Sequence, residues 1–94
     1  MPERCSVQIT IRNRLGLHAR PAMSFVDTAA GFNCSLRVRK PATGDEVNGG
    51  SIMEIMMLAA TQGTVLEIIA EGPDAEACCN ALRELVEVRR FDEP

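Results

Sequence analysis

Pro21 is the residue that most restricts how this chain can fold. Proline has no backbone N–H and its ring clashes with the preceding turn, so a helix accepts it only in its first turn. Around it, Ala22, Phe25, Val26, Ala29 and Ala30 recur at helical spacing and form one apolar stripe. A helix carrying that stripe must begin near His18 or Ala19, and Gly31 is placed to end it. Upstream the period is different. Cys5, Val7, Ile9 and Ile11 alternate with Ser6, Gln8 and Thr10, the pattern of a strand with one buried face. Arg12 to Leu17 is an irregular link containing Gly16, so the chain passes from strand to helix at His18.

The same reading continues along the chain. Asn33 to Arg39 alternates with Cys34, Leu36 and Val38 inward, Pro41 to Asp45 is a turn, and a short strand at Glu46 to Asn48 pairs back as a hairpin. Gly49-Gly50 breaks it. Ser51-Ile52-Met53-Glu54 reads as a capping box, with Ser51 at the N-cap, opening a short helix to about Ala59. Thr64 to Glu71 is a fourth strand. Gly72-Pro73-Asp74 opens a last helix with Pro73 at its first position and a stripe of Ala75, Cys78, Leu82, Leu85 and Val86. The order strand, helix, strand, strand, helix, strand, helix predicts an α+β layer pair, an antiparallel four-stranded sheet with three helices on one face. One domain, 1–94, accounts for the length, and only the first few residues and Phe91 to Pro94 read as loose ends.

Composition removes several classes of function. The net charge is −3, aromatics are 3% and Trp and Tyr are absent, which argues against a basic, stacking nucleic-acid surface. Apolar runs fall far short of a membrane span, and no basic segment precedes an apolar block as in a signal peptide. A cytoplasmic chain is expected. Cys5, Cys34, Cys78 and Cys79 are read as reduced, mostly buried small hydrophobes, and neither a metal site nor a structural disulfide is expected. His18 is the one imidazole in the chain.

His18 stands where the first helix begins. The N–H groups of Ala19 and Arg20 are not used by the helix, and the dipole there is positive, so the end can hold an anion. Arg20 adds a planar charged fork suited to phosphoryl oxygens, and a neutral imidazole is a nucleophile. The combination can accept a phosphoryl group and hold it on backbone donors. A lone histidine before a helix is also commonly a surface residue or a weak cap.

The run Asn13-Arg14-Leu15-Gly16-Leu17-His18-Ala19-Arg20-Pro21-Ala22 resembles the active-site signature of HPr, the phosphocarrier family of the bacterial phosphoenolpyruvate-dependent phosphotransferase system. Val47 to Met53 resembles the family's second signature, around a regulatory serine. Gly63-Thr64-Val65 and Glu71-Gly72-Pro73 match as well. The resemblance implies the open-faced β-sandwich of that family and no cofactor. It implies that His18 takes a phosphoryl group on Nδ1 from enzyme I and passes it to a downstream acceptor protein, that Arg20 assists, and that the protein is a carrier and not a turnover catalyst. It also implies docking through Leu17, Ile52, Met53 and Met56, and a monomer.

Some positions depart from the sugar-transport pattern. Gly50 precedes Ser51 where a lysine often stands, Glu54 follows it, and Asp27 and Ala30 occupy helix positions that are often basic. These features are closer to the nitrogen-related branch of the family. Ser51 matches the serine phosphorylated by a dedicated kinase, but its cap role alone explains it. The competing functional reading is a small regulatory or ligand-binding α+β module without phosphotransfer, or a relative acting only as a coregulator.

Overall fold

The computed structural model describes residues 3–94. β1 (Arg4–Thr10) leads to α1 (Ala19–Ala30), followed by β2 (Ser35–Lys40), β3 (Asp45–Asn48), α2 (Ile52–Met57), β4 (Val65–Glu71) and α3 (Ala75–Arg83). The strands form one antiparallel sheet in the order β1-β4-β2-β3. Alternation puts Ile9, Leu36, Val38, Leu66, Ile68 and Ala70 on one face, where all are buried. The three helices cover that face with Phe25, Ile55, Cys78 and Leu82, giving one continuous core. The opposite face is polar. Glu67 sits between Ser6 of β1 and Arg39 of β2, accepting a hydrogen bond from the Ser6 hydroxyl at 3.1 Å and facing the Arg39 guanidinium at 3.6 Å. This is the predicted four-stranded open-faced sandwich with three helices on one side. No helix among the described residues is long and apolar enough to cross a membrane.

Two helix starts differ from expectation. α3 begins at Ala75, so Pro73 lies before the N-cap residue Asp74 and not at the first helical position. The reason is a turn closed by Ala75 N–H donating to the Gly72 carbonyl, with the Asp74 carboxylate drawn away to accept from the Asn33 N–H at 2.7 Å. At α2 only half of the capping box forms. The Ser51 hydroxyl accepts from Glu54 N–H at 3.2 Å, but the Glu54 carboxylate accepts from the Asn48 N–H instead of that of Ser51. The far end of α2 is closed from the sheet, where the Lys40 ammonium donates to the Leu58 carbonyl at 3.0 Å.

The chain end corrects a larger expectation. Phe91 to Pro94 is not loose. After α3 the helix widens to a π turn over Glu84–Val88, with Arg89 N–H donating to the Glu84 carbonyl. Arg90, Phe91 and Asp92 then take φ values of 52°, 55° and 56°, three consecutive left-handed residues without a glycine. Each costs about 1–2 kcal/mol of backbone energy, so tertiary contacts must hold them. Phe91 supplies the main one and is 3% exposed within the core. The Pro94 carbonyl accepts from Arg14 N–H at 2.6 Å, which straps the end across the loop before His18. Of the first residues, also read as loose, Met1 and Pro2 lie outside the described ones, and the Glu3 carbonyl accepts from Gly72 N–H.

Candidate functional site

The loop from Thr10 to His18 is fixed from several directions. Thr10 N–H donates to the Glu87 carboxylate of the π turn at 2.8 Å, and Ile11 exchanges backbone hydrogen bonds with the Gly63–Thr64 loop. Gly16 adopts φ +69°, and a Cβ there would run into the Ala60 carbonyl, so glycine is required where the loop passes the end of α2. Leu17 N–H donates to that same carbonyl at 2.9 Å. The chain then enters α1, with His18 as N-cap residue in an extended conformation and its carbonyl accepting from Ala22 N–H. No side chain caps this start. Pro21 has no N–H to leave unpaired, so Ala19 and Arg20 present the two donors of the first turn.

The His18 ring is held from one side only. Its Nε2 lies 2.8 Å from Glu93 Oε1, and the same oxygen accepts from Asn13 Nδ2 at 2.8 Å. Asn13 is fully buried and spends its second amide hydrogen on the Gly16 carbonyl, tying carboxylate, loop and ring together. Partial burial alone would raise the Glu93 carboxyl. The hydrogen bonds from His18 and Asn13 and the charges of His18 and Arg20 together outweigh it and hold the group below its ordinary range. An ionised carboxylate only accepts, so Nε2 carries the proton and the lone pair of a neutral ring sits on Nδ1. Arg20 stands 3.8 Å from Glu93 Oε2 with its side chain 69% exposed, free to swing toward an incoming anion.

The lowered Glu93 carboxyl has a pH signature. Its contribution to stability is complete above the unfolded value of 4.5 and is lost as pH falls through the lower folded value. Thermal melts from neutral pH to about 3 should show wild type losing an advantage that Glu93→Gln never has. Parallel melting curves for the two proteins across that range would remove Glu93 from the stability of the site.

Other expected site residues are placed differently. Met53 and Met56 are exposed on α2, and Met57, to which no docking role was given, is exposed as well. Ile52 is half-buried and packs against the core. Leu17, expected at the docking face, is 6% exposed and belongs to the core, because the Gly16 turn and the bond to Ala60 point the chain inward there. Its neighbour Leu15 is the exposed leucine of the loop. Ser51 is the cap of α2. Ser51→Ala should therefore cost about 0.5–2 kcal/mol and Ser51→Asp much less, as read by denaturant unfolding. Equal stability of Ser51→Ala and wild type would mean the observed cap bond contributes nothing.

Sequence reasoning missed Asn13 and Glu93. Asn13 lies inside the quoted signature but carried no assigned chemistry. Glu93 is 75 residues from His18 and had no local signal. Among the described residues no group of three or more His, Cys, Asp or Glu is placed to hold a metal ion.

The family described as the PTS HPr component phosphorylation site matches residues 5–88. The chain belongs to the HPr family. The phosphocarrier protein HPr of Pseudomonas aeruginosa is 48% identical over 89 residues, covering 94% of this chain and 96% of that one. That of Pseudomonas putida is 44% identical over 93 residues, covering 99% and 98%. Among solved structures, an HPr from Thermoanaerobacter tengcongensis superposes with a TM-score of 0.88 at 44% identity, covering 96% of this chain and 98% of that one. As an HPr, the protein is a phosphoryl carrier of the phosphotransferase system, transiently modified and regenerated, and not a turnover catalyst. The reading as a regulatory module without phosphotransfer is not favoured.

Proposed function

We propose that His18 is the phosphoryl acceptor, that it is loaded through Nδ1 by enzyme I, and that it delivers the group to a downstream acceptor protein of the same system. The observation that carries this reading is the 2.8 Å contact between Nε2 and Glu93, which commits one ring nitrogen and leaves the nucleophilic lone pair on the other. In the transfer, the bond from Nδ1 to phosphorus forms as the bond to the donor breaks. Positive charge on the ring is met by Glu93, and negative charge on the phosphoryl oxygens by the N–H groups of Ala19 and Arg20, the α1 dipole and the Arg20 guanidinium. Little else is needed beyond positioning.

Docking is supported by the exposed side chains of Leu15, Met23, Met53, Met56 and Met57, which the loop before His18, α1 and α2 present. The bond between Leu17 and Ala60 brings the end of α2 beside the His18 loop, so a partner reaching His18 meets α2 as well. In this reading the protein works as a cytoplasmic monomer. Ser51 sits at the edge of that surface, where a serine kinase could add charge and weaken docking.

The test is incubation of the full chain with phosphoenolpyruvate and enzyme I, followed by intact mass. One acid-labile, hydroxylamine-sensitive phosphoryl group is expected. No mass shift, or an acid-stable one, would overturn the assignment.

A further inference from the structure

All four cysteines of the chain gather at the end of the sheet remote from His18. Cys5 is the second residue of β1, whose other end leads into the His18 loop, and it pairs with Ala70 of β4. On the other side of β4, Leu36 pairs with the same Ala70, and Cys34, in the bend just before β2, packs partly buried against the same core. The backbone of Cys34 runs so close to the end of β4 that a Cβ on Gly72 would lie 2.9 Å from the Cys34 Cα. Cys5 and Cys34 therefore flank β4, one on each side.

Over them lie Cys78 and Cys79 of α3, both buried. Adjacent helical residues diverge by about 100°, so the two thiols serve different strands. The Cys79 thiol donates to the Cys5 carbonyl at 3.5 Å, and Cys34 is the neighbouring thiol with the strongest influence on Cys78. Each pairing joins a half-exposed cysteine to a buried one. Cys34 lines an open cleft of about 230 Å³ with Phe32, Leu36 and Gly50. Cys5 borders a separate depression with Arg4, Glu76 and Asn80. Burial first, then the neighbouring thiols, pushes Cys78 and Cys79 up to about 12, so both stay protonated and an oxidant meets the strand cysteines first.

We propose that Cys34–Cys78 and Cys5–Cys79 are two oxidisable thiol pairs, in which peroxide reacts with the half-exposed strand cysteine and the buried helix cysteine closes a disulfide. The Cys34 thiolate attacks one peroxide oxygen. A sulfur–oxygen bond forms, the oxygen–oxygen bond breaks, and hydroxide leaves and takes a proton to become water. The Cys78 sulfur then displaces the hydroxyl from the sulfenic acid. The sulfur–sulfur bond forms, and the departing hydroxyl leaves as a second water with the Cys78 proton. Two thiols lose two electrons and one peroxide gains them. Cys5 and Cys79 follow the same steps. Both bonds tie α3 to the sheet far from His18, so phosphoryl acceptance should be unchanged by them.

The test exposes the folded full chain to a small excess of hydrogen peroxide, blocks remaining thiols by alkylation, and reads intact mass with fragmentation of linked peptides. Two bonds make the chain about 4 Da lighter, without alkyl adducts and reversibly with dithiothreitol. Cys5→Ser and Cys34→Ser, both at half-exposed positions, should each retain only the other bond and lose about 2 Da. Oxygen adducts at Cys5 and Cys34 without mass loss, a Cys5–Cys34 or Cys34–Cys79 link, or bonds between chains would overturn the proposal.

Discussion

Replacing His18 with alanine abolishes phosphoryl acceptance from phosphoenolpyruvate and enzyme I, with no residual acid-labile label. No other imidazole exists in the chain to take over the role. The remaining anion-binding parts survive the change, since the donors of Ala19 and Arg20 belong to the backbone and the Arg20 side chain is independent. They bind but cannot form the covalent intermediate, so activity falls to background instead of being partly retained. The fold persists. The His18 side chain is 39% exposed, makes no cap bond to α1, and leaves Glu93 still engaged by Asn13 when removed. Unfolding midpoints of variant and wild type should differ by only a few degrees, roughly what a lost surface contact costs. Acid-labile label on the alanine variant would place the acceptor elsewhere.

The parts of this molecule that were legible in its sequence are those where local rules and tertiary packing agree. Pro21 fixed the start of α1 because the first-turn rule has no exception that packing could exploit. Alternation located β1 and β2 because a slip of one residue would turn Ile9 and Val38 out to water. Docking residues were harder to place. Leu17 and Leu15 differ by two positions in an irregular loop, and only the Gly16 turn decides which is buried. The strap was illegible for a different reason. Three left-handed residues without glycine contradict every local preference, so nothing in Arg90-Phe91-Asp92 announces the turn. Its reward lies in contacts to residues about 75 to 80 positions away, which no local pattern encodes. The same distance hid the most informative bond of the site, that between His18 and Glu93.

The strap also carries the second large prediction. Phe91→Ala should cost about 3–5 kcal/mol, the range for truncating a buried phenylalanine. The backbone returns none of this, because alanine at φ 55° is no better placed than phenylalanine. In a chain of this size the midpoint should fall by roughly 10 °C or more. The loss should reach the chemistry too. Once Phe91 no longer holds the left-handed turn, Glu93 is no longer presented to Nε2, and Pro94 no longer braces Arg14. The imidazole then samples other orientations and tautomers, and loading by enzyme I should slow by about tenfold or more, as expected for a reacting group that is no longer positioned. Phe91→Leu keeps most of the buried volume and should retain both stability and rate. Glu93→Gln provides the internal comparison, since it keeps the strap seated and removes only the charge beside the ring. If Phe91→Ala slows loading much more than Glu93→Gln, the strap acts through ring placement, and if the two are equal it acts through the carboxylate charge alone. An unchanged midpoint in Phe91→Ala would mean the strap detaches without disturbing the core, and the buried phenylalanine would not be the clamp described here.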